Sequence, residues 1–294
     1  MHATPLTWAA RILWFTLPFT LGELLADAVT DRSGPVRLAA AAMAWIVWGT
    51  GLGASLVPLP ITLTLWRVLA PVPLVAGGVA IAVAPGRPGT LGWVGLATAA
   101  MVAIMAMGAE IGDWFVNGSS YGDERRMPLR VPTALVVGPI EVVWLLTTAP
   151  VTVGLFLLAA RAWVLGAVIT AAGAATAVIG FRTLARLAYR WIVFVPAGVT
   201  IVDDLALAEP ILLPRARIVR LGPAPSDTTA FDLSANASGL IVQVDLDGPL
   251  QLVPAVRRGG TAGTVEVTSV LVAPGRPGEM LSHAEGRRIA VSRT

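Results

Sequence analysis

Six long apolar runs govern what this chain can fold into. They lie at about 9–28, 36–57, 64–84, 90–112, 132–159 and 163–181. Each is close to the ~20 residues that a helix needs to cross ~30 Å of hydrocarbon. Lipid offers no hydrogen-bond partner, so a spanning segment must satisfy its own backbone, and a continuous apolar run does so as a helix. The sequence therefore predicts an α-helical membrane bundle of about six transmembrane helices. Composition agrees, with 55% hydrophobic and 13% charged residues and a mean hydropathy of +0.75. Soluble domains carry about 25% charged residues.

The runs differ in quality. The second, fourth and sixth are the clearest. The third contains Pro71 and Pro73, which predict a kink unless neighbours satisfy the freed carbonyls. The first carries Glu23 and Asp27 in its second half. Its Ala26-Asp27-Ala28 has the small-x-small form of a signal-peptide cleavage site, whereas Arg11 alone makes a poor basic leader. Retention and cleavage of this span both stay open.

The pattern changes near residue 190. All ten Trp lie at or before Trp191, and beyond Arg190 apolar residues alternate with period two. This predicts a transmembrane domain at 1–190 and a water-soluble β-rich domain at 191–294. Leu240, Val242, Val244 and Leu246 share one strand face, and Asp247-Gly248 predicts a hairpin turn into Leu250-Gln251-Leu252. Segments 191–195 and 199–203 predict another hairpin across Pro196-Ala197-Gly198. Short strands near 211–213, 216–221, 229–233 and 264–272 follow, with a last helix at about 278–291. The fold class expected is a helical bundle followed by an all-β small barrel closed by a helix.

Short strands and a closing helix directly behind a span resemble the bacterial pleckstrin-homology (PH)-like domain, most visibly in YRWIVFVPAGVTIVD at 189–203. The whole chain resembles uncharacterised multi-pass membrane proteins of actinobacteria, notably in GSSYGDERRMPLRVP at 118–132. All 21 basic residues are Arg, which fits a GC-rich bacterial genome. The resemblance implies a membrane-proximal scaffold rather than a catalyst.

Orientation follows from Arg near the span ends. With the N-terminus inside, Arg11, Arg67, Arg125, Arg126, Arg130, Arg182, Arg186 and Arg190 are cytoplasmic, and Arg32, Arg37, Arg87 and Arg161 are outside. This predicts a bacterial cytoplasmic-membrane protein with both termini inside. The absence of Cys excludes disulfides, thiolate metal sites and cysteine nucleophiles. The only two His, His2 and His283, lie outside the apolar runs, which excludes His-ligated metal or haem in the bundle. No cofactor is implied. Basic residues never run beyond pairs such as Arg125-Arg126 and Arg257-Arg258, so nucleic acid is not an expected partner.

Chemistry is confined to a few groups. Glu110 and Asp113 lie three apart near the cytoplasmic end of the fourth run. Glu141 falls about nine residues into the fifth, and Arg67 belongs to the third on the same side. They predict a polar intramembrane cluster, either an ion path or an ion pair that sets helix register. Glu23 and Asp27 form a second acidic pair, a cation site or simply a wet helix end. Arg125, Arg126 and Arg130 either grip lipid phosphates or hold a topogenic loop inside. Gly166, Gly173 and Gly180 recur every seven residues and mark helix packing, within the bundle or between protomers. Asp245-Leu246-Asp247 has a D-x-D form but sits at the expected turn. The expectation is a scaffold or interaction protein that docks a protein partner or the membrane surface through its β-domain. The alternative is a small transporter or channel using a cytoplasm-facing Glu/Arg cluster.

Overall fold

The structure is a computed structural model that describes residues 3–84, 86–255 and 263–292. His2 and the Arg257-Arg258 pair lie outside the described residues. The chain divides into two compact units, Met1–Gly118 with Glu141–Ala185 and Ser119–Ile140 with Arg186–Thr294. Six helical segments are long and apolar enough to cross a membrane: Pro5–Asp27, Gly34–Leu56, Pro60–Val83, Thr90–Met107, Thr133–Ala159 and Trp163–Ala188. Their outward faces carry large apolar side chains such as Trp45, Ile104 and Val164. Water would not tolerate so much contiguous apolar surface.

The first unit is organised around α1 (Pro5–Asp27). Thr4 caps it by accepting from the Thr7 N–H at 3.3 Å, and Pro5 opens its first turn, where a missing N–H costs nothing. Ala10, Trp14, Leu17, Leu21 and Leu24 are buried. Their alternating spacings of four and three trace one helix face. Small residues let neighbours close on that face. Trp14 lies over Gly51 of α2 (Gly34–Leu56). A Cβ on Gly95 of α5 (Thr90–Met107) would lie 2.8 Å from the Leu21 nitrogen.

Between α2 and α5 the third span is broken into α3 (Pro60–Leu69) and α4 (Val72–Val83). The break falls at Ala70-Pro71, as the prolines predict. A second break is at Gly108, whose extended backbone ends α5 and starts α6 (Ala109–Asn117). The fourth apolar run therefore does not continue as one helix to residue 112. The fifth is also divided, into α7 (Thr133–Val136) and α8 (Pro139–Ala159), at Gly138 with φ +98°.

The α8–α9 pair, with α9 at Trp163–Ala188, packs backbone to backbone. A Cβ on Gly166 would lie 2.7 Å from the Leu158 nitrogen, and one on Gly173 would lie 2.6 Å from the Val151 nitrogen. At Gly180 it would collide with Thr147. The seven-residue glycine repeat is thus the surface on which α8 lies.

The second unit holds two four-stranded sheets. The first, in order β1-β2-β3-β4, is antiparallel throughout and uses Arg125–Pro128, Trp191–Val195, Gly198–Val202 and Ile211–Pro214. Strand β1 comes from the segment between α6 and α7, where the sequence showed only a polar loop. The second sheet runs β5-β7-β8-β6: Ile218–Pro223, Val242–Leu252, Val265–Val272 and Phe231–Asp232. Its last pairing is parallel. Among the described residues the strands form these two sheets and not a closed barrel. Helix α10 (Pro277–Gly286) contributes Met280, Leu281 and Ala284 to a core shared by both sheets.

The hairpin expected at Asp247-Gly248 is absent. Strand β7 runs straight through, and a register shift between Asp245 and Leu250 absorbs the extra residues against β8. The reason is Pro249. A two-residue Asp-Gly turn closes with an N–H from the residue after Gly, and proline has none. Arg217 holds the bulge instead, donating to Asp247 Oδ1 at 3.1 Å and to the Pro249 carbonyl at 3.0 Å.

Candidate functional site

Breaking helices inside an apolar unit creates a demand for donors, because the last carbonyls of each helix lose their intrahelical partners. Neighbouring side chains meet that demand at three helix ends. Arg11 donates from Nε (2.9 Å) and Nη2 (2.6 Å) to the Ser55 carbonyl at the end of α2. Arg67 Nε donates to the Ala106 carbonyl at the end of α5 at 3.1 Å. Trp144 Nε1 donates to the Val68 carbonyl at the end of α3 at 2.8 Å. A positive charge also suits the negative end of a helix dipole. Arg11 is buried, with its guanidinium 4.9 Å from the Trp8 ring and 4.6 Å from the Trp114 ring. Trp14 and Trp48 bridge α1 and α2 reciprocally, each indole donating to the other's carbonyl, at 2.9 and 3.2 Å.

The proposed intramembrane cluster is therefore dispersed. Among the described residues Arg67 forms no ion pair with Glu110 or Glu141, and its Nε hydrogen bond goes to a helix end. Glu110 lies in the first turn of α6. Asp113, one turn on, is buried, and Asn117 Nδ2 donates to its carbonyl at 2.8 Å. Glu141 is exposed in the first turn of α8, because the break at Gly138 restarts the helix just before it. It is not nine residues deep in a continuous span.

Glu23 and Asp27 are exposed and line, with Thr30 and Arg87, a cavity of about 260 Å³ at one end of the first unit. Arg87 puts a counter-charge in the same lining, which weakens a cation site. The pair fits a wet helix end.

The three arginines offered for lipid phosphate are engaged within the strand-rich unit. Arg125 pairs with Glu279 of α10. Arg126 donates to Ser119 Oγ at 2.8 Å and to Glu124 at 3.2 Å, with its guanidinium 5.6 Å from the Trp191 ring. Arg130 Nη1 donates to the Ser238 carbonyl at 2.8 Å. In the D-x-D segment, Asp245 faces Arg220 at 3.4 Å and Asp247 faces Arg217 at 3.1 Å. Among the described residues no group of three or more His, Asp or Glu could hold a metal.

Two arrangements were invisible in the sequence. Arg190 and Asp203 form a bidentate pair with both bonds at 2.7 Å and side chains 1% and 0% exposed. His283, at the end of α10, accepts from Arg287 Nε at 3.1 Å and packs on Phe194 with ring centroids 5.0 Å apart. Burial, then Arg287 and Arg125, push the His283 imidazole below its usual range, against a smaller opposing effect of Glu279. Arg190 and Asp203 share no local motif and are brought together by the fold; His283 and Arg287 are four apart in sequence, and what the fold adds there is the packing of His283 on Phe194.

Comparison with protein-family models, with curated proteins and with solved structures finds no match to this chain.

Proposed function

We propose that the chain is a membrane-anchored docking protein: the helical unit anchors it in a bacterial cytoplasmic membrane, with both termini inside, and the strand-rich unit receives a protein partner. The observation that carries this reading is how the cations of the helical unit are used. Arg11 and Arg67 serve helix ends, Glu141 is at a helix start, and the α8–α9 surface is closed by glycine contacts. A transporter needs ionisable groups exposed to a changing cavity; groups fixed on backbone carbonyls hold a bundle shut.

The strand-rich unit offers the recognition surface. Among the described residues strand β4 pairs only with β3 and exposes Leu212, whereas the outer side of β5 is met at Leu221 by the Ala290 carbonyl and the Ser292 N–H. An unpaired edge with an apolar side chain suits strand addition by an extended segment of another protein. We read this unit as PH-like, supported by its antiparallel first sheet and by α10 completing the core.

A photo-crosslinker at Leu212 of the full chain, in membranes of the source cell, tests the reading. Discrete protein adducts are expected at this position and not at the outward-facing Ile104. Proton uptake by proteoliposomes holding the purified chain, abolished by Glu110→Gln, would instead establish the transporter.

A further inference from the structure

A cavity of about 440 Å³ in the strand-rich unit has an unusual lining. It lies between the β2–β3 turn and the end of α10, and its walls include Pro196, Gly198, Asp123, Arg215, Arg287 and Arg288. Three arginines and one aspartate thus share the lining, a formal excess of two positive charges.

The three cations are not equivalent. Arg287 is fixed, donating from Nε to His283 at 3.1 Å and from Nη2 to the Asp123 carbonyl. The Arg215 and Arg288 guanidiniums make no hydrogen bond or ion pair among the described residues. Their backbones are nevertheless held in place. The Arg215 N–H donates to the Ala197 carbonyl at 2.9 Å, and a Cβ on Gly198 would lie 2.8 Å from the Arg215 nitrogen. The glycine is what lets this segment approach the turn so closely.

Arg288 occupies the position just past the end of α10. Its N–H reaches the Glu285 carbonyl at 2.8 Å, and the Ile289 N–H reaches the Ala284 carbonyl at 3.0 Å, closing the helix end. Its φ is +56°, the left-handed conformation that glycine adopts without penalty. An arginine held there against backbone preference, with its side chain unpaired at a cavity, is an outlier of the kind that accompanies ligand sites.

We propose that this cavity binds a phosphomonoester, with Arg215 and Arg288 contacting the phosphate and Arg287 forming a fixed wall behind it. Guanidinium presents a planar fork of donors that matches phosphate oxygens. A phosphomonoester carries about −1.5 to −2 charge near neutral pH, which balances the excess of two positive charges better than one carboxylate or phosphodiester does. The volume lies within the ~300–1,000 Å³ range of small-molecule sites, leaving room for the group that the phosphate esterifies. The site does not use the exposed edge residue Leu212, so it goes beyond the docking reading and stands or falls separately from it.

The test is calorimetric titration of the full chain in phosphatidylcholine nanodiscs, in phosphate-free buffer. The probes are glycerol 3-phosphate, dihexanoyl phosphatidic acid and, as a phosphodiester control, dihexanoyl phosphatidylglycerol. One-to-one binding of a monoester is expected, at least tenfold tighter than the diester and weakened at least tenfold by Arg215→Gln and by Arg288→Gly. Binding of both monoesters identifies a soluble phosphate ester as sufficient; binding of the phosphatidic acid alone identifies a lipid headgroup. Arg288→Gly should also raise the melting temperature of the ligand-free protein, because it relieves the left-handed backbone. Arg217→Gln, whose cation is paired with Asp247, should leave binding unchanged. The proposal is overturned if neither monoester binds below millimolar concentration, or if both Arg variants bind as the native chain does. It is also overturned if binding is lost only together with a fall in melting temperature.

Discussion

Replacing Asp203 with Ala strands a buried positive charge, and the surrounding geometry sets how much that costs. Arg190 donates twice to the carboxylate at 2.7 Å, and both side chains are almost wholly inaccessible. Arg190 Nη1 also donates to the Arg130 carbonyl at 2.9 Å, and Asp203 Oδ1 accepts the Leu205 N–H at 3.0 Å. The pair therefore joins the exit of β1, the start of β2 and the end of β3. With the carboxylate gone, Arg190 keeps a single carbonyl partner in a site that water does not reach. Breaking a buried ion pair by deleting one member costs about 3–5 kcal/mol. That is a large share of the ~5–15 kcal/mol by which domains are stable.

Hydrogen exchange of peptides covering 191–202, in full-length protein held in nanodiscs, reads this loss as faster opening. At about 1.4 kcal/mol per tenfold, Asp203→Ala should speed exchange by roughly two to three and a half orders of magnitude. The double variant Arg190→Met with Asp203→Leu supplies the control. It removes both charges, and Leu205 is 39% exposed, so water can serve its N–H. What remains is the Arg130 carbonyl, an orphan worth about 1–3 kcal/mol. The double variant should exchange more slowly than Asp203→Ala. An acceleration under tenfold for Asp203→Ala, or a double variant faster than the single, would refute the reasoning.

Gly173→Leu should lower the melting temperature in nanodiscs by an amount equivalent to about 1–3 kcal/mol, because its Cβ alone would press on the Val151 backbone at 2.6 Å. Gly78→Ala, where nothing lies within 4 Å, should be neutral or stabilising. Trp144→Phe removes the donor to the Val68 carbonyl and should cost about 1–3 kcal/mol; a ¹³C label at Val68 should show its amide I band moving to higher frequency. Because the His283 imidazole is pushed below its ordinary value of 6.5, the unfolded state binds a proton more readily than the folded one. Stability is then intact above about pH 6.5 and falls as pH drops through the depressed folded value. Thermal midpoints at pH 7.5 and 5.5 should differ by more in the native chain than in His283→Gln.

The six spans were legible because sustained hydrophobicity is a property of the chain in one dimension. The interruptions were less so. Pro71 announces itself through a missing N–H, whereas Gly108 and Gly138 break their helices only by the backbone that each adopts. Missing those two breaks placed Glu110, Asp113 and Glu141 in continuous spans and suggested a polar cluster. Strand β1 was hidden for a different reason. Arg125-Arg126-Met127-Pro128 has no apolar alternation, and it is a strand because β2 presents an edge for it to pair with. The glycine repeat on α9 was legible, since a period of seven on a helix is a face. The Arg190–Asp203 pair was not, because thirteen residues of sequence separate partners that the β2–β3 hairpin brings together.

The intramembrane arginines show why residue type alone misleads in a lipid-solvated bundle. A guanidinium in an apolar run invites a search for a carboxylate, but carboxylates are only one kind of acceptor. Every helix that stops short of the interface leaves carbonyls without partners, and in hydrocarbon each is costly. Arg11 and Arg67 each donate to a carbonyl in the last turn of a neighbouring helix, and Trp144 does the same without a charge. The common factor is the helix end and not the sign of the donor. The demand was therefore written in the chain as helix ends: Val57-Pro58 after the α2 span, and the breaks at Ala70-Pro71 after α3 and at Gly108 after α5. Paired with a nearby long donor, each such end is a stronger guide to the role of a membrane arginine than the nearest acidic residue in sequence.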